Sequence, residues 1–371
     1  MASAYTPGLR VSSGTTIRKL RRLPLRGEVL VAVGQRVSAQ QPIARALLPG
    51  KIRTLKVSEV LGVEAAEVPG LLRKREGDQV QAGELLAEVR SFFGLFRTEC
   101  TSPAAGTIDH VSGLSGFVSI REPPTPLDLA AYVEGTVVEV LPEEGAVIET
   151  TAAFVQGIFG VGGERRGEIL VVGKADQALR AQDIPDAAAG KVLVGGASAG
   201  SEVLRRAAQV GAAALVTGGI RDAQLREFVG AEIGVAITGQ EQVPFTLVLT
   251  EGFGEMAMAE RTFRLLADLQ GRPASVNGAT QIRAGVIRPE LIVALDGEAP
   301  VQGEAAAGQL GPGCAVRVIR EPYFGRLGEV CSLPAELMEI ETGAMVRVAG
   351  VRLAGEAEAR LIPRANLEII W

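Results

Sequence analysis

The chain has a single histidine, three cysteines and few aromatic residues, and each scarcity closes a route. His110 is the only side chain whose unperturbed pKa lies near neutrality, so any histidine-dependent triad has one residue to draw on. It sits in Thr107–Val111, a strand-like stretch that places Ile108 with His110 on one face and Thr107, Asp109 and Val111 on the other. That pattern suits a surface or packing role. Cys100, Cys314 and Cys331 are odd in number, far apart and without metal-ligand or redox spacing. A reducing, cytoplasmic location and no metal site are the expectations. No run of about 18 uncharged apolar residues exists, and the N-terminus lacks the apolar core of a secretory signal, so no membrane association is expected. With aromatics at 4% against 46 glycines and 19 prolines, cores must be filled by Val, Ile, Leu and Ala between many tight turns.

What is present points to several modules. A length of 371 residues suits two or three domains. The net charge is −5, yet Arg10, Arg18, Lys19, Arg21, Arg22 and Arg26 all precede the first acidic residue, Glu28. Residues 1–26 therefore read as a basic arm, either solvated or docked on phosphate or an acidic partner. Residues 27–166 read as repeated hairpins. Val33–Ala46 (VGQRVSAQQPIARA) and Gly77–Val89 (GDQVQAGELLAEV) repeat a glycine, a valine three residues on, and an apolar pair six residues later. Glu134–Glu149 alternates as a third strand-turn-strand unit. From 167 to 296 the pattern changes to β-α-β: a strand near 191–196, an amphipathic helix at 201–211, a buried strand at 212–219, then further helices and strands to about 295. Residues 297–310 are rich in Gly, Ala and Pro and read as a linker, and 311–371 give four or five short strands of a small barrel. The fold class is α+β and multidomain.

In the middle domain, a strand runs into Gly195-Gly196-Ala197-Ser198-Ala199-Gly200-Ser201 and then a helix, a geometry in which backbone N–H groups hold an anion. Neither a Walker loop nor a dinucleotide fingerprint is completed. A second reading needs no ligand: Ser201 serves as N-cap, with Glu202 in the first turn. Glu251 follows another strand, and Asn277, Thr280, Gln281 and Arg283 lie in a polar loop. In an open α/β sheet such loops converge on a crevice. Gly195, Gly196, Ser198, Gly200, Ser201, Glu251 and Arg283 are the candidate anion site.

The segment Glu76–Val89 followed by Thr101–Val111, with turns at Gly77-Asp78, Gly83 and Ser102-Pro103-x-x-Gly106, resembles the hammerhead of biotinyl and lipoyl carrier domains and their barrel-sandwich relatives. The resemblance implies a lipoyl-like barrel-sandwich hybrid. Carriers of that family attach their cofactor to a lysine at the hairpin tip, whereas Arg90–Cys100 (RSFFGLFRTEC) contains none. No cofactor is expected. Phe92, Phe93 and Phe96 at that tip either close a core or offer a docking surface.

Val316-Arg-Val318, Pro322–Val330 around Gly328, Val346-Arg-Val348 and Ile362–Leu367 resemble the KOW module of NusG-type elongation factors and ribosomal proteins. That resemblance implies a small barrel that grips RNA, a ribosome or a polymerase, with Arg320, Tyr323, Phe324 and Arg326 as partner-binding residues. Residues 311–371 carry seven arginines against eight glutamates, and nucleic-acid modules gain affinity from net positive charge, so a protein partner fits at least as well. The whole chain resembles an uncharacterised bacterial group that combines these modules. The leading expectation is a non-catalytic scaffold or adaptor for a protein or ribonucleoprotein partner, with oligomerisation open. The alternative is a ligand-binding or hydrolytic α/β protein with an anion site in the middle domain.

Overall fold

The computed structural model describes residues 9–91, 96–230, 241–280, 287–295, 297, 310–318, 320, 322–323, 326–339 and 345–369. The protein is mainly β, with several sheets. Its largest sheet has eleven strands: β1 (Val11–Arg22), β2 (Arg36–Val37), β3 (Gly135–Leu141), β4 (Gly145–Gln156), β5 (Phe159–Val161), β6 (Glu164–Val171), β7 (Val192–Val194), β8 (Ala214–Ile220), β9 (Thr246–Phe253), β10 (Pro273–Asn277) and β11 (Glu290–Ala294). Their order is β5-β9-β8-β7-β6-β10-β11-β4-β3-β2, with β1 on the second edge of β4.

The sheet has a parallel half and an antiparallel half, and β6 belongs to both. Its residues 169–171 pair in parallel with β7, while 164–168 pair antiparallel with β10. Strands β6 to β9 are joined through α1 (Ser201–Gln209) and α2 (Asp222–Val229), and α3 (Glu260–Asp268) follows β9. Leu193, Leu215, Leu247 and Leu249 point to the face that buries Val203, Leu204 and Ala207 of α1 and Leu225 of α2. Val192, Val194, Ala214, Val216 and Val248 point the other way, onto Leu266 of α3. Both faces are covered, so these strands are continuous apolar runs, as buried parallel strands must be.

The described part of the expected arm, residues 9–26, is built into the fold. Within them, β1 pairs with β4 along nearly its whole length, from Val11 opposite Val155 to Arg22 opposite Gly145. Its cations meet acids from distant strands: Arg18 with Glu149 at 2.7 Å, Lys19 with Glu290 at 2.5 Å and Arg21 with Glu164 at 2.5 Å. Arg22 and Arg26 meet Glu144 and Glu143. The positive charge is matched to carboxylates inside the fold. The expected boundary at 166/167 also falls inside one strand, β6.

A three-stranded sheet of Glu28–Val29, Pro42–Leu48 and Thr125–Ala130 packs beside the antiparallel half, and Ile43, Ala131 and Val133 share a core with Ile148 and Phe154. The chain leaves this sheet at Leu48 and returns at Thr125. Between them it builds a separate lobe whose core contains Val57, Val68, Val80, Leu86, Cys100, Ile108 and Ile120. The sequence repeat is visible in three dimensions. Gly34 and Gly77 both have positive φ, and Val37 and Val80, Ile43 and Leu86, and Ala44 and Ala87 are buried at matching places in the two lobes. His110 is exposed in the second lobe, with Nδ1 2.9 Å from Glu76.

Near the C-terminus, β12 (Ala315–Val318), β13 (Leu327–Ser332), β14 (Leu337–Glu339), β15 (Met345–Leu353), β16 (Ala359–Pro363) and β17 (Leu367–Ile369) form a six-stranded sheet. The order is β14-β15-β13-β12-β17, with β16 also on β15. Val316, Val318, Val330, Val351, Ile362 and Leu367 make its core. Most of the expected linker, 298–309, lies outside the described residues.

Candidate functional site

The C-terminal ends of parallel strands are where open α/β folds place ligands. Here the chain fills that place itself. Beyond β9, the segment 254–258 crosses the strand ends: Gly254 N–H donates to Ile220 O at 2.8 Å, Met256 N–H to Ala197 O at 3.0 Å and Met258 N–H to Ala175 O at 3.0 Å. Gly218 shows how close the crossing is, since a Cβ there would lie 2.0 Å from Met256 O.

The candidate loop is spent in the same way. Gly195 N–H donates to Val216 O, Gly196 N–H to Lys174 O and Ala197 N–H to Gln177 O, at 2.8–3.0 Å. Ser198 bridges to Gly219 as a short parallel contact. These amides are occupied by carbonyls, the opposite of an anion nest. The N-cap of α1 is Gly200, without a side-chain cap, and Ser201 is the first helical residue. The Ser201 hydroxyl donates to Glu227 Oε2 at 2.5 Å, which puts a carboxylate beside the helix start and disfavours an anion there.

Glu251 is nearly fully buried, with 4% of its surface exposed. One carboxylate oxygen accepts from Ala259 N–H at 2.9 Å, at the start of α3, and the other from Arg317 of β12. Arg317 is equally buried and also donates to Glu251 O at 3.3 Å. Glu251 is thus the anchor of the C-terminal sheet. Asn277 and Thr280 make a local turn: Asn277 Oδ1 accepts from Ala279 N–H, and the Thr280 hydroxyl accepts from Gly160 N–H at 2.8 Å. Gln281 and Arg283 lie outside the described residues. The sequence groups Arg317 with Arg320 and Arg326 as a local basic patch, whereas its buried partner Glu251 lies 66 residues away and leaves no local signal.

Of the other candidates, Phe92, Phe93 and Phe324 lie outside the described residues, and Phe96 opens the strand Phe96–Thr101. Arg320 is exposed. Tyr323 and Arg326 belong to one network. Arg360 stacks 5.3 Å from the Tyr323 ring and donates to its hydroxyl at 3.2 Å. Glu356 accepts from Arg360 at 2.6 Å and Arg326 at 2.5 Å. These two guanidinium groups, Arg360 first, hold the Glu356 carboxyl below the usual range. Two of the four expected contact residues of this module, Tyr323 and Arg326, are therefore already engaged within it.

Among the described residues, no group of three or more His, Cys, Asp or Glu side chains is placed to hold a metal, and no helix is long and apolar enough to cross a membrane. No protein-family model matches the chain, and no curated protein shows a significant match to it.

Proposed function

We propose that this chain is a non-catalytic scaffold or adaptor, in which a lipoyl-like lobe and a KOW-type C-terminal module are held in fixed relation by the central sheet and present surfaces to a protein partner. The observation that carries the reading is the buried Glu251–Arg317 pair. It fastens the C-terminal sheet to the strand ends that an α/β enzyme would keep open for substrate. The free edge of that sheet is the natural contact surface. On β14 and β15, Leu337 faces Arg347 and Met345 faces Glu339 across one ladder, which puts all four on one exposed face. Exposed apolar side chains on an edge strand favour pairing with another chain. The seven arginines and eight glutamates of residues 311–371 favour a protein over RNA.

The test is affinity purification from the protein's own host, comparing the natural chain with Leu337→Asp/Met345→Asp. A stoichiometric partner that is recovered with the natural chain and lost with the variant, at unchanged circular dichroism, is the expected result. Equal recovery by both, or recovery of no stable partner, would remove the reading.

A further inference from the structure

The edge of β4 opposite β1 changes neighbour part-way. Residues 145–149 pair with β3 and 152–156 pair with β11, and Leu295 N–H still donates to Thr151 O at 2.9 Å, so the ladder is interrupted at Thr150. A cavity of about 440 Å³ occupies this notch. Its floor is the sheet face carrying Ser275 and Ile292, and its wall is the 133–136 segment that leads into β3. Neither Glu251 nor the residues that seal the strand ends are among its lining.

The lining is rich in cations. Arg36, Arg166 and Arg272 face the cavity together with Glu134 and Glu149. Both acids already have partners: Glu134 has Arg36 at 3.5 Å, and Glu149 has Arg18 at 2.7 Å. Arg272 donates to Ala294 O at 3.1 Å. Arg166 is different. It is half-buried on β6, opposite Ser275 on β10, and has no hydrogen-bond or ion-pair partner among the described residues. Its donors are left for water or a ligand in the cavity that it lines.

We infer that the notch is a binding site for a small organic oxyanion, with Arg166 as the principal contact. A guanidinium presents a planar fork of donors that matches a carboxylate or a phosphate in two parallel hydrogen bonds. Arg36, paired with Glu134, places a second guanidinium at the rim, and Thr136 and Thr151 line the same space. A notch of about 440 Å³ has room for an organic molecule such as a sugar phosphate or a tricarboxylic acid. The site is independent of the scaffold reading, and it makes the sheet a ligand-sensing as well as a connecting element.

The experiment is a thermal-shift and calorimetric titration of the full chain with 3-phosphoglycerate, citrate and AMP, with glucose as the neutral control. At least one anion should bind and raise the melting temperature, while glucose should not. The anion that binds distinguishes phosphate from carboxylate recognition. Arg166→Gln should weaken that binding roughly 10- to 100-fold, the effect of losing a charge-assisted pair of hydrogen bonds. Arg36→Gln, an exposed substitution, should weaken it by a smaller factor and serves if the first variant folds poorly. No binding of any anion, or binding left unchanged by both substitutions, would overturn the inference.

Discussion

Replacing Arg317 by Met should destabilise the protein more than any substitution of a surface ion pair. Glu251 has 4% of its surface exposed, and its carboxylate would keep only the backbone N–H of Ala259 as a donor. Stranding one member of a buried pair costs about 3–5 kcal/mol, against about 0–1 kcal/mol for an exposed pair such as Arg226–Asp222. Replacing both, as in Arg317→Met/Glu251→Gln, removes the stranded charge as well, so the double variant should be more stable than the Arg317→Met variant. The two substitutions should then couple by about 2 kcal/mol or more. Urea unfolding followed by circular dichroism measures the four stabilities of the cycle, the natural chain, Arg317→Met, Glu251→Gln and the double variant, and hydrogen exchange at the Ala259 amide reports the junction directly. The loss should appear first as faster exchange there, because the C-terminal sheet has its own core and can separate before the central sheet unfolds. Single-variant losses below about 1 kcal/mol, or strictly additive effects, would refute the reasoning.

Three further outcomes are expected. Tyr132 is buried at φ +71° with a hydroxyl that finds no hydrogen-bond partner among the described residues, so Tyr132→Phe should be neutral or stabilise by about 1–2 kcal/mol in thermal unfolding; a clear loss would reveal a partner for the hydroxyl. Arg360 and Arg326 depress the Glu356 carboxyl in the folded state, so the unfolded chain binds more protons. Their contribution is present above the ordinary glutamate pKa of about 4.3 and is lost as pH falls through the lower folded value. Acid titration of Glu356→Gln should show a shallower decline than the natural chain, and an equal slope would contradict the network. Burial raises the Cys100 thiol, so native protein should leave Cys100 unlabelled by iodoacetamide at pH 8 until it is unfolded; labelling at the rate of a free thiol would place it at the surface.

The sequence carried the short-range features well and the long-range ones poorly. Helix α1 and strands β7, β8, β9 and β11 follow local periodicity, and the Val33–Ala46 and Gly77–Val89 repeat returned as matched buried positions. Strand β1 stayed hidden because Arg18 and Arg22 face one side while Lys19 and Arg21 face the other, which erases the period-two pattern. The acids that neutralise it come from residues more than 100 positions away. β10, Pro-Ala-Ser-Val-Asn, has turn-like composition and becomes a strand through pairing with β6 and β11. The notch was not legible at all, since Arg36, Arg166 and Arg272 meet only once β4 has exchanged β3 for β11.

That exchange of neighbours also sets a timetable for synthesis. Strand β4 can pair with β1 and β3 as soon as Gln156 is free of the ribosome, but its remaining edge waits for β11, about 140 residues later. At roughly 5–20 residues per second, the wait is roughly 7–28 s. Throughout it, Ala152–Gln156, which includes Phe154 and Val155, offers an unpaired strand edge. Such an edge is a template for another nascent chain. The newborn protein is thus most prone to aggregate between these two events, and slow translation of residues 157–294 would lengthen that exposure.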